Sequence, residues 1–488
     1  MNFSVDIVAS ALEEAGLLAE RRGVLPTAAT GIADDSRTVK PGFIFVAVRG
    51  TERDGHDYLD AAQRAGAVAA VLEDRSRTSL PSLVVNDGRM AAAVAAAAAH
   101  GWPARDLVVV GVTGTNGKTT TVHMLRHLLD GPVRSASIGT LGVLVGSEGV
   151  PVEGGGGLTT PGPVELQRVF RQLVSSGVGR VAMEVSSHSL HQRRVDGVEL
   201  DAAVFTNLTR DHLDYHKTME EYFRSKARLL AYLKPHGTVV VNLDDKAWNS
   251  LTSERRRVSF SERVSTAEVH SERVEFNARG SDWTLALGND RHHVRLPLIG
   301  DFNVSNALGA AAAAWSLGIR GSDIASRLST LPQVPGRLEV LNESPVVLRD
   351  YAHTPDALAR ALEAVRPFTS GRLIAVFGCG GDRDRGKRPQ MGGIAEQLAD
   401  LAIVTSDNPR TEDPERILDD IEAGMSSGRP HERIVDRHEA IERALTIAGE
   451  TDVVLLAGKG HETYQVRGTT KYPFDEKTIV EALMQVRQ

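Results

Sequence analysis

Gly111-Val-Thr-Gly114-Thr115-Asn116-Gly117-Lys118-Thr119-Thr120 follows the apolar run Leu107–Val110, and this stretch decides how the chain is read. A strand ending in a glycine-rich turn, with Lys and Thr opening a helix, builds a phosphate cradle from backbone N–H groups and a helix N-terminus. Apolar positions at Leu125, Leu128 and Leu129 continue the pattern as a helix. The common nucleotide loop places glycine six residues before the lysine; here that residue is Val112, and glycines stand at Gly111 and Gly114 instead. The variant Gly-Thr-Asn-Gly-Lys-Thr points away from the common GTPases and motors and towards ATP as the ligand.

With 488 residues the chain exceeds one ordinary domain; at about 100–200 residues each, three are expected. Hydrophobic content of 41% with 24% charged residues fits a soluble globular protein. A net charge of −7 argues against a general nucleic-acid binder, whose affinity rests on clustered Lys and Arg. Cys379 is the only cysteine, so no intrachain disulfide forms and a reducing cytoplasm is the expected compartment. Residues 1–20 lack a basic segment followed by an apolar one, so no signal peptide is expected. The alanine-rich runs Ala91–Ala99 and Ala310–Ala314 are too short to span a bilayer and read as packed helices, so no membrane partner is expected.

The first hundred residues mix short strands and turns with helical stretches at Tyr58–Ala65 and Arg89–His100, as in a small α/β domain with its exit at Trp102-Pro103. From Asp106, apolar β-branched runs at Leu107–Val112, Arg180–Val185, Ala202–Thr206 and Thr238–Asn242 alternate with helical segments, the pattern of a parallel sheet covered on both faces. Polar/apolar alternation over 255–299 predicts added antiparallel strands, followed by a helix at Ser305–Leu317. Gln333-Val-Pro335-Gly336-Arg337 is the linker candidate. Beyond it, strands at Val346–Asp350, Leu373–Phe377, Ala402–Thr405, Arg433–Val435 and Val453–Leu456 predict a third, doubly wound domain. The expected fold is therefore α/β in three domains: a small α/β domain at 1–104, a central phosphate-loop parallel sheet with an antiparallel addition at 105–333, and a Rossmann-like domain at 334–488.

Ligands of parallel sheets sit outside the carboxyl ends of the strands. Glu184-Val-Ser186-Ser187-His188 ends one predicted strand and Thr206-Asn207-Leu-Thr-Arg-Asp211-His212-Leu-Asp214-Tyr-His216 ends another, so both converge on the edge that carries Lys118. One carboxylate, one imidazole and the Thr119 hydroxyl suffice for Mg²⁺, which keeps several waters. The Asp-His-x-Asp-x-His run looks like a metal box, but its spacing fits no zinc pattern well. Three polar strand ends close the last domain: Gly378–Arg388 with four cations, Asp407-Asn408-Pro409-Arg410, and Gly458-Lys-Gly-His461-Glu462. Together they suit a small zwitterionic ligand.

The ordered segments Gly114–Thr120, Glu184–His188, Asn207–His212, Gly300-Asp-Phe-Asn303-Val-Ser-Asn306, Pro335-Gly-Arg337 and Asp350-Tyr-Ala-His353 resemble the Mur ligase family of ATP-dependent peptidoglycan-precursor synthetases along essentially the whole chain. Within it, Asp35-Ser36-Arg37, Thr159-Thr160-Pro161 and Asp407–Arg410 resemble the member that adds the third amino acid. The resemblance implies a cytoplasmic ligase that adds 2,6-diaminopimelate, expected as the meso isomer, to the D-glutamyl residue of UDP-N-acetylmuramoyl-L-alanyl-D-glutamate through an acyl phosphate. It implies that Gly114–Thr120 and Asn303 bind ATP, with Lys118, Glu184, His212 and Lys226 in catalysis. Mg²⁺ is expected on Thr119, Glu184, His212 and a CO₂-derived carbamate on Lys226. Ser36, Thr159, Thr160, Ser186, Gln192 and Arg194 are implied to hold the nucleotide-sugar dipeptide. The glycines at Gly154–Gly157, just before Thr159, read equally as a flexible loop that closes over substrate or as a plain linker.

Arg383, Asp407, Asn408, Pro409, Arg410, Gly458 and Glu462 are implied to hold diaminopimelate. Arginine at 410 matches relatives that add diaminopimelate, whereas lysine-adding relatives resemble Asp-Asn-Pro-Ala there. A monomer is expected. The alternatives are a folate polyglutamate synthetase of the same superfamily and, from another class, a nucleotide-hydrolysing switch.

Overall fold

Alternation along single strands sets each layer of the protein. The computed structural model describes every residue except Met1, Thr51, Glu52, Gly156, Ala278, Ser427 and Gln488. Near the N-terminus, strands Leu18–Arg22, Ser82–Val85, Ala69–Leu72, Phe43–Val46 and Gly31–Ala33 form a five-stranded sheet in that order. Only the Leu18–Arg22 edge is antiparallel. Ile44 and Val46 face one core and Phe45 and Ala47 the other, as a strand's twofold period requires. Helix Gly88–Ala99, capped by Asp87 through Met90 N, packs its alanines into the first core.

An eleven-stranded sheet carries the phosphate loop. Strand Val108–Thr113 lies between Val178–Glu184 and Leu200–Phe205, parallel to both, with Glu184 opposite Val112 and Phe205 opposite Thr113. Leu233–Asn242 and Arg256–Ser261 extend the parallel side. Arg256–Ser261 corrects the expectation of antiparallel strands from residue 255. Its connection, residues 243–255, is long enough for a crossover, and Val258 and Phe260 are buried. Val269–Asn277 also starts parallel to it. Gly280–Leu287 and Asp290–Leu296 complete the order and are joined by a two-residue turn, which parallel neighbours cannot use. On the other side, Arg134–Gly139 adds in parallel to Val178–Glu184, followed by the antiparallel Gly142–Val145 and Val150–Val152. Those three strands were not foreseen, because Ser and Gly interrupt their apolar runs.

The last sheet runs Glu339–Glu343, Val346–Asp350, Val453–Ala457, Leu373–Phe377, Leu401–Val404, His431–Arg433, and is parallel apart from its first pair. Val347, Ile374, Val376, Val454 and Leu456 fill the core on one face. Leu348, Leu373, Ala375, Phe377, Val453 and Leu455 fill the core on the other. A hairpin of Tyr464–Arg467 and Thr470–Pro473 follows, also unforeseen. The chain divides into two compact units. The first holds Met1–Glu272, Leu285–His292 and Ser305–Leu328; the second holds Arg273–Thr284, His293–Val304 and Ser329–Gln488.

In the second unit Arg437 and Glu476, both 0% exposed, form an ion pair at 2.8 Å, and Arg437 also donates to the Ala457 carbonyl. Removing one member leaves an uncompensated buried charge, worth about 3–5 kcal/mol. Arg437→Met is therefore expected to destabilise this unit by about that amount in denaturant titration, and Arg437→Met with Glu476→Gln to recover part of the loss.

Candidate functional site

The phosphate loop is fastened by the neighbouring strand end. Thr115 N donates to Asn207 O at 2.8 Å and Asn116 N to Asn207 Oδ1 at 2.8 Å. Asn207 Nδ2 and Thr206 Oγ1 donate in return to Asn116 O. Thr115 Oγ1 donates to Thr209 O and accepts from Thr209 N. A Cβ on Gly114 would fall 1.8 Å from Thr206 Oγ1, so this clamp admits only glycine. Gly117, with φ +82°, caps helix Lys118–Leu129, which also carries the buried Thr119 and Thr120. Lys118 Nζ folds back to donate to Gly114 O and Thr115 O.

A second lysine reaches the same carbonyl. Helix Met219–Ala227 starts on a Thr218 cap with Glu221 three residues on, and it places Lys226 Nζ 2.7 Å from Gly114 O. Lys226 is 1% exposed and lies 4.5 Å from the Tyr222 ring centre. Burial, reinforced by Lys118, pushes its amine far below the ordinary lysine value, against the pull of Asp211. Burial thus biases this amine towards its neutral, nucleophilic form. His212 is nearby: the protein packed round its imidazole holds it below the ordinary histidine value, and Lys118 and Lys226 add to the effect.

Glu184 is buried; its carboxylate accepts from Thr140 N at 2.8 Å and from Thr140 Oγ1 at 3.2 Å. Glu184 and Thr119 line one small cavity of about 10 Å³. From this strand end a chain of hydrogen bonds links most of the residues expected to hold the nucleotide-sugar. Thr140 Oγ1 lies 3.3 Å from Thr159 Oγ1, Thr160 Oγ1 donates to Glu184 O, and Ser186 N donates to Thr160 Oγ1. Arg194 donates to Gln192 Oε1 and Thr160 O. Ser186 Oγ also caps the short helix Ser187–His191. Ser36 sits apart, beside the exposed Arg37–Asp35 pair. Of the glycines 154–157, Gly155 N donates to Glu165, and Gly156 lies outside the described residues.

The Asp211–His216 run is not a metal box. Among the described residues no group of three or more His, Cys, Asp or Glu is placed to hold a metal ion. His188, His191, His212 and His216 stack instead with Tyr215 and Tyr222, and His216 Nε2 meets Ser187 Oγ at 2.9 Å. Asn303 belongs to the second unit, where its buried amide donates to Ile299 O.

In the second unit Asp407–Arg410 follows strand Leu401–Val404, and Gly378–Gly381 lies beside it. A Cβ on Gly378 would strike Thr405 O, and one on Gly381 would strike Pro409 O. A Cβ on Gly380 would meet Arg410 Nη1 at 2.9 Å and Arg383 Cγ at 3.8 Å, so both arginines flank that glycine. Asn408 Nδ2 donates to Glu462, and Lys459, fully buried, donates to Asn408 Oδ1 and Glu462 Oε2. A Cβ on Gly458, whose φ is +117°, would lie 2.8 Å from Asp407 Oδ2. The seven residues expected to hold the acceptor thus gather at one sheet edge. Sequence reasoning missed Lys459, whose only signal was its place between two glycines.

The four cations of the Gly378–Arg388 turn divide unequally. Arg385 pairs with Asp420, Arg388 with Glu412 and Asp420, and Lys387 donates to His353 O. Arg388 holds the Glu412 carboxyl at about 2. Only the Arg383 guanidinium has no such partner among the described residues. A cleft of about 720 Å³ borders Arg410 with Ser406, Glu412, Arg433, Asp436 and Arg467; of the seven expected residues only Pro409 and Arg410 line it.

Strand, glycine loop and helix at the middle of a parallel sheet define a phosphate-loop α/β protein. Three family models match: Mur ligase family, catalytic domain over 29–105, Mur ligase middle domain over 112–314, and Mur ligase, glutamate ligase domain over 336–460. A UDP-N-acetylmuramoyl-L-alanyl-D-glutamate--2,6-diaminopimelate ligase of Geobacter metallireducens is 45% identical, over 95% of both chains. A solved structure of a ligase with that name is 32% identical, covers 100% of this chain and 99% of its own, and superposes with a TM-score of 0.70. A folylpolyglutamate synthase of Mycobacterium tuberculosis, 18% identical over 76% of this chain and 92% of its own with a TM-score of 0.63, shares the fold. The chain belongs to the Mur ligase family.

Burial and the neighbouring histidines push the His216 imidazole down to about 4. Its folded pKa lies below the ordinary 6.5, so its contribution to stability is whole above that value and is lost as pH falls from 6.5 towards 4. In His216→Gln, which keeps a donor for Ser187, unfolding free energy measured against pH is expected to fall less steeply across that window, by up to about one proton.

Proposed function

We propose that this chain is an ATP-dependent amide ligase that adds 2,6-diaminopimelate, as its meso isomer, to the D-glutamyl residue of UDP-N-acetylmuramoyl-L-alanyl-D-glutamate in peptidoglycan precursor synthesis. The observation that carries the reading is the gathering of Arg383, Asn408, Arg410 and Glu462 at one sheet edge, in a chain that matches relatives bearing the name of that ligase over 92–97% of their length. Domain boundaries near residues 104 and 333 belong to the same reading, supported by the three larger sheets and the three matched spans.

A carboxylate is a poor electrophile, so the side-chain carboxylate of the D-glutamyl residue first attacks the γ-phosphorus of ATP and ADP leaves. The amine of diaminopimelate then attacks the acyl phosphate, phosphate leaves, and an amide remains. Gly114–Thr120 cradles the phosphates, Lys118 offsets charge as it moves between oxygens, and Asn303 contacts adenine. Thr159, Thr160, Ser186, Gln192, Arg194 and Ser36 orient the nucleotide-sugar dipeptide.

Mg²⁺, when bound, neutralises charge on the transferred phosphoryl group. Thr119, Glu184, His212 and a Lys226 carbamate would hold it. The donors fit: a buried carboxylate and a hydroxyl border one cavity, and the imidazole and the amine are both biased towards their neutral forms. Neutral Lys226 attacks CO₂ and releases a proton, turning a repelled cation into a hard anionic ligand.

Phosphate release by the purified chain is expected to require both the nucleotide dipeptide and diaminopimelate. Release without an acceptor would indicate a nucleotide switch, and release with a folate and glutamate the folylpolyglutamate reaction. Lys226→Ala is expected to abolish turnover and to regain part of it with short carboxylic acids in the buffer; full activity without them would remove the carbamate. Arg410→Ala is expected to raise KM for diaminopimelate by about a hundredfold or more, since a lost bidentate partner leaves the distal carboxylate unpaired. KM for ATP and for the nucleotide dipeptide stays near wild type.

A further inference from the structure

Arg410 adopts φ +52°. A non-glycine residue in this left-handed region is strained and persists where its surroundings fix it. The fixing contacts come from the segment after strand Val453–Ala457. Arg410 N donates to Val466 O at 3.0 Å and Arg410 O accepts from Gly468 N at 2.7 Å, which seats the turn on hairpin Tyr464–Arg467/Thr470–Pro473. Val466 N donates to Asn408 Oδ1 at 2.9 Å and Gln465 Nε2 to Asp407 O at 2.7 Å. Gln465 Oε1 in turn accepts from Arg467 Nε. Beneath them Lys459 Nζ bonds Asn408 Oδ1 and Glu462 Oε2. Gln465 is 2% and Lys459 0% exposed, so each acts through the residues it bonds.

We propose that this hairpin sets the position of the acceptor site, with Gln465 and Lys459 as positioning residues that determine selectivity for an amino acid with a distal carboxylate. The proposal rests on the reading of Asp407–Arg410 as the acceptor site. A guanidinium must meet a carboxylate in one plane with both N–H groups aligned, so a shift of the turn costs the second hydrogen bond before it costs general attraction. Turn position therefore governs diaminopimelate against lysine, while ATP and the nucleotide dipeptide bind through other residues.

The test uses steady-state kinetics on the full chain, with melting temperature recorded for each variant. Gln465→Met is expected to raise KM for diaminopimelate tenfold or more, to leave both other KM values within twofold, and to lower the diaminopimelate-to-lysine ratio of kcat/KM. Isosteric Gln465→Glu keeps the acceptor for Arg467 and loses the donor to Asp407, so it is expected to behave alike; it carries the test if the methionine variant does not fold. Lys459→Met is expected to show the same selective rise. Added to Arg410→Ala, Gln465→Met is expected to cost less than a further twofold, because both act on one contact.

An unchanged KM for diaminopimelate in Gln465→Glu, an equal rise for all three substrates, or a fully multiplicative loss in the double variant would overturn the proposal. Loss of diaminopimelate use in Arg410→Ala with none in the Gln465 variants overturns the positioning role alone. No loss in Arg410→Ala overturns the reading beneath it.

Discussion

The geometry round the phosphate loop depends on the parallel register that sets Val112 opposite Glu184 and Thr113 opposite Phe205. Parallel strands in that register end together, so a loop leaving one strand meets residues leaving its two neighbours. On one side Thr206 and Asn207 grip Thr115 and Asn116 through backbone and side-chain bonds. On the other, Glu184 is turned under Thr140 and beside Thr119. A one-residue slip of either neighbour would reverse which side chains face the loop. The glycine pattern follows from this grip, because Gly114 stands where any Cβ would strike Thr206.

The same grip creates an electrostatic problem. Gly114 O accepts from both Lys118 and Lys226. Two ammonium groups on one carbonyl repel, and the more buried one is the more strongly biased towards its neutral form. Depression of the Lys226 amine by burial and by Lys118 expresses this asymmetry. The surrounding imidazoles point the same way: His188 and His216 are both pushed down to about 4, so the cluster adds no positive charge near pH 7. Lys118, less buried and at the helix N-terminus, keeps its Nζ on Gly114 O and Thr115 O.

Long apolar strands were legible because burial on both faces writes continuous runs such as Leu373–Phe377 and Val346–Asp350, whose predicted limits match the observed ones. Strand ends were legible for the same reason, since polarity returns where the sheet stops. Arg134–Gly139 was not legible: its burial comes from neighbours, while its own residues are largely Ser, Ala and Gly. Nor was the Tyr464–Pro473 hairpin, whose second strand is exposed along its length and carries no apolar face. The alternation at 255–299 was read as antiparallel throughout, yet alternation reports one-sided burial and not strand direction. Direction at Arg256–Ser261 is set by the connection before it. The phosphate loop, Glu184 and the Asp407–Arg410 turn were found from their own residues, whereas Thr140, Lys459 and Gln465 are tied to those segments by bonds to Glu184, Asn408 and Asp407, which are distant from them in sequence.

Charge count is a poor guide to the second unit's site. Of the four cations in the Gly378–Arg388 turn, three are committed to Asp420, Glu412 and His353 O, which ties the turn to its own domain. What remains is Arg383, beside an Arg410 whose backbone is held in a strained form by a hairpin, with a buried lysine bonded to the neighbouring Asn408. Glycines at 378, 380 and 381 let the two segments approach until their backbones touch. A field of positive charge would attract any anion, and a surface of that kind cannot separate one amino acid from another that differs by a distal carboxylate. One or two guanidinium groups fixed in place can, because their hydrogen bonds either meet a second carboxylate or stay unpaired. Under the proposed acceptor reading, selectivity lies less in the arginines themselves than in the neutral and internally paired residues that fix where they point.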